Sequence, residues 1–224
     1  MPKNILIFDT ETTGLLPKTP TDPNPYLTQL SFAIYDLDQQ LVKSKFNVYI
    51  QLPPNIVVPK IVTQITGITT EICQTQGIPI QEALGVLFHA TTLCDCIIAH
   101  NISFDMAIIN IEVQRNLPTL EKRYPQIADI FNSNRLAYYG IQTDCTMKMT
   151  VDQCAIYRTT DKNYTYKKYP KLIETYEFIF KKSAPENLHN SMIDVLVCLR
   201  CYLKIKYNID ISDERFGLWI KTSI

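Results

Sequence analysis

The stretch "FDTETTG" at residues 8–14 constrains the fold most, because it places two acids directly after the apolar run "NILI". Alternate side chains of a strand share one face, so Asp9 and Glu11 point the same way, with Cα atoms roughly 7 Å apart. Carboxylates this close repel each other and lose solvation, which raises their pKa values unless a divalent cation is bound. The alternative is a polar turn closed by Gly14, with Glu11 in solvent.

Composition limits how this chain can hold a partner. Its 224 residues, 46% of them hydrophobic and 20% charged, are typical of a folded globular protein with a sizeable core. Lys and Arg together number 22, as do Asp and Glu, so no global basic field attracts nucleic acid. A polyanion must therefore be held by a local patch or by a metal.

The cysteines bear on the cellular compartment. Seven is an odd number, and no apolar signal segment precedes "KNILIFDT", which predicts reduced thiols in an intracellular protein of the cytoplasm or nucleus. No run reaches the roughly 18 apolar residues that span a membrane.

Cysteine pairs occur as C-x-C at 94–96 and C-x-x-C at 198–201. We expect them to be core thiols, because a structural zinc site needs four ligands at compatible spacing.

The hydrophobic pattern predicts an α/β domain with helices packed on a mixed sheet. Residues 3–8 form a buried strand, and residues 28–37 and 43–52 form two more strands of an antiparallel meander. A short strand at 95–101 precedes a helix capped by Ser103, and further helices begin near 79, 170 and 190. Residues 116–142 form a longer, less regular connection that could include short helices. We expect a single domain over 1–224, with 206–224 a tail that packs on the core or on a partner.

Two charged residues stand near the start of the last long helix. Asp194 lies in line with an apolar row, where a bare charge is costly, so it needs a cation; the alternative is a first-turn acid stabilised by the helix dipole. His189 comes five residues earlier, which is roughly 140° away on a helix. It must therefore lie on the preceding connection to share a site, where it suits proton abstraction near neutral pH. A surface histidine without a role is the alternative.

Asp105, in "AHNISFDMAII", is the fourth acidic candidate. It falls in the first turn of a helix that follows a strand, where ligand groups gather in α/β folds. Stabilisation by the helix dipole explains this position equally well when the residue is considered alone.

Taken together, these residues resemble the DEDDh 3′ to 5′ exonucleases of the DnaQ-like superfamily. "FDTETTG" matches the first family motif, "AHNISFD" the second and "HNSMID" the third, with Ser191 where Ala is usual. "ITGIT" at 65–69, "TDCTM" at 143–147 and "YPKLIETYEFIF" are softer similarities, and together they cover about residues 3–205. A tyrosine branch of the superfamily has Tyr where this chain has Asn190, so the similarity favours His189 as the base.

The resemblance implies a ribonuclease H-like fold and two Mg²⁺ or Mn²⁺ ions per site. Asp9 would bridge both ions, Glu11 and Asp194 would help to hold the first, and Asp105 would reach the second. His189 would take the proton from the attacking water. The same family reading gives contacts with the 3′-terminal nucleotide to Thr12, Gly14, Leu15 and Asn101.

The implied activity is 3′ to 5′ hydrolysis of single-stranded DNA ends in proofreading, repair or end trimming, with release of nucleoside 5′-monophosphates. An exoribonuclease that trims RNA or short oligoribonucleotides is the alternative, and a catalytically idle module that binds nucleic acid or a polymerase is another. A polymerase or a second copy of the chain is a candidate partner. The basic, tyrosine-rich segment 162–169 could contact phosphates and bases or be a solvated loop.

Overall fold

The computed structural model describes residues 3–185 and 190–222 of the chain. A five-stranded sheet has the order β3-β2-β1-β4-β5. Its strands are β1 Asn4–Thr12, β2 Leu27–Asp36, β3 Leu41–Tyr49, β4 Cys96–Ala99 and β5 Gln142–Cys145. The first three strands pair antiparallel, whereas β1–β4 and β4–β5 are parallel. The predicted meander and the mixed, ribonuclease H-like sheet are therefore confirmed.

Helices cover both faces of this sheet, and a short hairpin lies apart from it. The helices are α1 Lys60–Thr66, α2 Thr70–Gln76, α3 Ile80–Thr92, α4 Ile102–Arg123, α5 Ser133–Tyr138, α6 Thr146–Cys154, α7 Leu172–Phe180, α8 Ser191–Tyr207 and α9 Asp213–Lys221. The hairpin pairs β6 Tyr157–Thr159 with β7 Thr165–Lys167. None of the helices described here is both long and apolar enough to cross a membrane.

The alternation of β1 divides the core into two layers. Leu6 and Phe8 point into a cluster with residues of α3 and α4. Ile5 and Ile7 point to the other face, into a cluster with residues of α8. Helices α4 and α8 thus bury their apolar faces against opposite sides of the same central strand, which fixes both of them relative to β1.

The structure differs from the sequence expectation at three places along the chain. β1 continues through Thr12, so Asp9 and Glu11 lie within the strand and not after its end. Helix α4 begins at Ile102 and is capped by Asn101, so Ser103 is not the cap that we expected. Helix α4 extends to Arg123, into the connection expected over 116–142, whereas the short helix α5 later in that connection agrees with the expectation.

The C-terminal tail contains a helix that packs on the sheet. Phe216 of α9 is buried against Tyr176, and the Trp219 ring lies edge-on to Tyr35, with 6.1 Å between ring centroids. Lys45 on β3 donates from Nζ to the carbonyl and the hydroxyl of Thr222 at the end of α9. That α9 also serves a partner, and that 1–224 act as one domain, stay predictions.

Candidate active site

The three parallel strands end at one edge of the sheet, and the candidate site forms there because β1 extends past its neighbour. The β1–β4 ladder ends at Ile7, whereas the β1–β2 ladder continues to Thr12. The last part of β1 therefore has a helix on each face but no β4 partner beside it. Asp9 and Glu11 continue the face of Ile5 and Ile7, which α8 covers.

Helix α8 brings Asp194 to these two acids. Asn190 caps the helix, because its side chain accepts a hydrogen bond from Met192 N at 3.1 Å. The Ser191 hydroxyl donates to the carbonyl oxygen of Asp9 at 3.0 Å, which fixes the first turn of α8 to β1. As a result, carboxylate oxygens of Asp9, Glu11 and Asp194 all lie within 4.8 Å of one another.

Helix α4 supplies Asp105 from the opposite face of β1. Its side chain is only 2% exposed, and Oδ1 accepts two hydrogen bonds from Thr10, at 3.1 Å from the backbone N–H and 2.7 Å from the hydroxyl. Thr10 lies between Asp9 and Glu11 and points the other way, so one strand positions carboxylates from both helices. Sequence reasoning missed this role of Thr10.

Burial and mutual repulsion raise the pKa values of these carboxyl groups. Burial raises the pKa of Glu11 from 4.5 to about 9, with further contributions from Asp9, Asp194 and Asp105. Burial also raises the pKa of Asp9 from 3.8 to about 6, although a hydrogen bond from Ser191 lowers it. The pKa of Asp105 is raised by burial and by the charge of Asp9. A divalent cation would stabilise the ionised forms of all three.

The donor set fits a hard divalent cation. Carboxylate oxygens are the ligands that Mg²⁺ and Mn²⁺ prefer. Within residues 3–185 and 190–222, Asp9, Glu11 and Asp194 are the one group of at least three His, Cys, Asp or Glu side chains close enough to hold a metal. All seven cysteines are free thiols, and all except the half-buried Cys154 are buried, as expected for core cysteines. His189 lies outside the described residues.

A second histidine organises the rim of the site. His100 follows β4 and precedes Asn101; its Nε2 donates to the Pro170 carbonyl at 3.0 Å, because a carbonyl oxygen only accepts. Its Nδ1 lies 2.9 Å from the Thr146 hydroxyl, which must then donate. Burial lowers the pKa of His100 to about 4, which keeps the ring neutral. No sequence signal distinguished this structural histidine.

Three of the four predicted substrate contacts line one cavity beside the carboxylates. Thr12, Gly14 and Leu15 bound a space of about 480 Å³. The Thr12 hydroxyl donates to the Gly14 carbonyl at 2.5 Å, which shapes this turn, and Leu15 is 79% exposed. Helices α1 and α4 complete the wall, with the apolar side chains Ile61, Val62, Ile65 and Phe104. Sequence reasoning missed these four.

Asn101 does not line that cavity. It adopts a left-handed conformation, with φ 72° and ψ 48°, and begins α4 just after His100. Its role as a substrate contact stays a prediction, as do those of Thr12, Gly14 and Leu15.

Solved structures with this fold include bacterial exonucleases. The chain resembles Escherichia coli exonuclease I in complex with a dT13 oligonucleotide at 16% identity and a TM-score of 0.62, covering 90% of this chain and 41% of that one. The complex of the same enzyme with dA16 is similar at 16% identity and a TM-score of 0.62, covering 98% of this chain and 43% of that one. A moderately thermophilic exonuclease I from Methylocaldum szegediense is similar at 15% identity and a TM-score of 0.60, covering 96% of this chain and 42% of that one.

The chain thus spans less than half the length of these proteins, and the similarity shows a shared fold. No curated protein sequence is significantly similar to it. The family model described as Exonuclease (RNase_T) matches residues 6–202, which include α4, most of β1 and α8, and all of the predicted catalytic residues. The family predicted from the three motifs is therefore confirmed, and the chain belongs to the exonuclease family.

Proposed function

We propose that this protein is a metal-dependent 3′ to 5′ exonuclease that acts on single-stranded DNA and releases nucleoside 5′-monophosphates. The observation that carries this proposal is the convergence of Asp9, Glu11 and Asp194 within 4.8 Å, with Asp105 held beside them by Thr10. Membership in the exonuclease family supports hydrolysis, and the oligonucleotide complexes of exonuclease I support single-stranded DNA as substrate.

Two divalent cations would be held by Asp9, Glu11, Asp105 and Asp194. When bound, such a pair of ions activates water and stabilises the charge on the leaving oxygen. The chain's own residues set the geometry: Thr10 orients Asp105 through two hydrogen bonds, and Ser191 holds α8, and thus Asp194, against β1. His189 would accept the proton of the attacking water on an imidazole nitrogen.

The cavity beside the carboxylates suits a terminal base. Its walls are largely apolar, and Leu15, Ile61 and Ile65 are exposed to solvent there. A nucleobase offers a flat, weakly hydrated face, so it would cover these side chains on binding. Because every base has such a face, we expect little preference among the four nucleotides at the 3′ end.

Hydrolysis of matched DNA and RNA oligonucleotides labelled at the 5′ end tests polarity and substrate together. We expect a ladder of products shortened from the 3′ end, faster on DNA, with mononucleotide 5′-phosphates released. Faster cleavage of RNA would instead assign the protein as an exoribonuclease. Loss of about 100-fold or more in kcat in His189→Ala, with substrate binding retained, would support the role of this base.

Location and partners are separate proposals. Seven unpaired thiols, six of them buried, suit a reducing intracellular compartment. A polymerase or a second copy of the chain stays a proposed partner, to be tested by the mass of the protein in solution.

A further inference from the structure

The β6–β7 hairpin is an exposed element that the proposed catalytic mechanism does not use. Residues 157–169 hold four tyrosines, four cationic side chains and one acid, in a chain whose net charge is zero. The tyrosines are exposed, Tyr164 to 67% and Tyr166 to 41%. Large aromatic rings usually find a buried environment, so such a cluster on an exposed hairpin indicates a surface for binding.

The strand register separates this hairpin into two faces. Arg158 pairs with Tyr166, and Tyr164 lies two residues before Tyr166, so these three side chains share one face. The Tyr164 and Tyr166 rings are nearly parallel, at an interplanar angle of 12° and a centroid distance of 6.4 Å. Here Arg158, Tyr164 and Tyr166 are called the outer face of the hairpin.

The other face is tied to the protein body. Lys167 pairs with Tyr157 across the hairpin, and its Nζ reaches Asp152 of α6 at 2.6 Å. The neighbouring Lys168 binds Glu174 of α7, also at 2.6 Å. These two lysines are therefore occupied by carboxylates of the chain itself. Arg158 forms no ion pair with any residue in the described part of the chain, so the outer face keeps its positive charge.

The root of the hairpin lies at the edge of the sheet that holds the site. Lys168 N donates to the Ile156 carbonyl at 2.9 Å and closes the hairpin, and two residues later the Pro170 carbonyl accepts from His100. His100 directly precedes Asn101 and the helix that carries Asp105. The same ring contacts Thr146 at the start of α6. This histidine thus fixes the hairpin root to the strand end beside the catalytic carboxylates.

We propose that the outer face binds single-stranded nucleic acid upstream of the scissile 3′ end, an inference that rests on the proposed exonuclease function. Tyr164 and Tyr166 would stack on bases, and Arg158, with Lys162 at the turn, would contact phosphates. Stacking on aromatic rings is tolerant of sequence, and cations beside them track the phosphate backbone. This surface supplies the local attraction that a chain without net charge needs.

The test compares a long substrate with one that lacks upstream nucleotides. The double variant Y164A/Y166A is assayed on a single-stranded oligonucleotide of about 12 nucleotides and on the p-nitrophenyl ester of thymidine 5′-monophosphate. Loss of two stacking contacts is expected to raise KM on the oligonucleotide about tenfold or more. Hydrolysis of the ester should be unchanged, which also shows that the variant folds.

Matched controls exist at the opposite edge of the sheet. Tyr138 and Tyr139 are another exposed pair in ring contact; Tyr138 is the last residue of α5 and Tyr139 is its C-cap, shortly before β5 begins. The variant Y138A/Y139A should leave KM on the oligonucleotide unchanged. A second comparison uses two cationic pairs. The variant R158A/K162A should reduce the slope of log KM against log salt concentration by about one to two, whereas K122A/R123A should leave this slope unchanged.

A KM on the oligonucleotide within about twofold of the Y138A/Y139A control would overturn the hairpin proposal while leaving the exonuclease proposal intact. Failure of the wild-type protein to hydrolyse either substrate would overturn the exonuclease proposal instead. In that case the hairpin proposal is still tested by fluorescence anisotropy, which measures binding of the labelled oligonucleotide without hydrolysis. Weaker binding by Y164A/Y166A than by Y138A/Y139A would support it, and equal binding would contradict it.

Discussion

At the scale of single residues, Thr10 connects two halves of the site that lie far apart in sequence. Its backbone N–H and hydroxyl both donate to Asp105 Oδ1, while its neighbours Asp9 and Glu11 face the other helix. A side chain with the same shape but no hydroxyl would leave the backbone contact alone to hold Asp105. The position of that carboxylate therefore depends on one buried hydroxyl group.

We predict that Thr10→Val lowers kcat about tenfold, with a loss of about 1–2 kcal/mol in the free energy of unfolding, because one buried hydrogen bond to a carboxylate is removed. Thr10→Ser keeps the hydroxyl and should retain most of the activity. Steady-state kinetics and urea unfolding of both variants test this. Equal kcat in Thr10→Val and wild type would show that the hydroxyl does not position Asp105.

Glu11 gives a prediction about pH and metal. Its pKa is raised from 4.5 to about 9 in the folded protein, so between these values the folded state binds a proton more tightly than the unfolded chain does. The stability of the metal-free protein should therefore fall as pH rises through this range. Mg²⁺ favours the ionised carboxylates, so its stabilising effect should be larger at pH 8 than at pH 5.

Glu11→Gln removes this titration. In EDTA at pH 8 it should unfold at a higher temperature than wild type, although it should be inactive and less stabilised by Mg²⁺. Thermal unfolding with EDTA or Mg²⁺ at both pH values measures these effects. Lower stability of Glu11→Gln than of wild type in EDTA at pH 8 would contradict a raised pKa of Glu11 in this cluster.

At the scale of elements, the start of α4 shows what the sequence pattern could and could not predict. The strand, the helix and the position of Asp105 in its first turn followed from apolar periodicity. The N-cap residue could not be predicted in this way, because Asn101 begins the helix with a left-handed backbone conformation and makes no side-chain capping hydrogen bond. Helix α4 also continues to Arg123 through Pro118, where its packed apolar face outweighs the proline signal.

Longer-range features were harder to predict. The convergence of Asp9, Glu11 and Asp194 could be inferred from motif order, whereas the contacts Thr10–Asp105 and His100–Pro170 depend on how distant elements pack. The β6–β7 hairpin was visible only as a basic, tyrosine-rich segment. Its short exposed strands lack the apolar alternation that reveals a buried strand.

Asn101 permits a test that separates backbone from side chain. Glycine accepts φ 72° without strain, whereas alanine in the left-handed region costs about 1 kcal/mol or more. Asn101→Ala should therefore be less stable than Asn101→Gly in chemical unfolding. If Asn101 also contacts substrate, both variants should show a raised KM; a wild-type KM in Asn101→Gly would remove Asn101 from the substrate contacts.

At the scale of the whole molecule, Arg200 joins three helices behind the site. It is 2% exposed on α8 and donates to the Tyr176 hydroxyl of α7, to the Ile211 carbonyl and to Asp213 at the start of α9. Its guanidinium also lies 4.6 Å from the centroid of the Phe216 ring. The C-terminal helix is thus attached to the same helix that carries Asp194.

We expect Arg200→Ala to lower the free energy of unfolding by about 3 kcal/mol or more, since it removes a buried cation and leaves the buried Tyr176 hydroxyl without its partner. Lys206, on the same helix, pairs with Asp144 at 3.3 Å but is partly exposed. Lys206→Ala should therefore lower the free energy of unfolding by less than about 1 kcal/mol. Similar losses in the two variants, measured by urea unfolding, would contradict this role of Arg200.

We propose that the carboxylates on β1, α4 and α8 hold the divalent cations on which hydrolysis depends. The most direct test measures Mn²⁺ binding by electron paramagnetic resonance together with mononucleotide release from single-stranded DNA, in wild type and in Asp9→Asn. We expect wild type to bind Mn²⁺ and to digest DNA from the 3′ end, and Asp9→Asn to do neither while remaining folded. Digestion by Asp9→Asn at the wild-type rate, or digestion by wild type in EDTA, would contradict it.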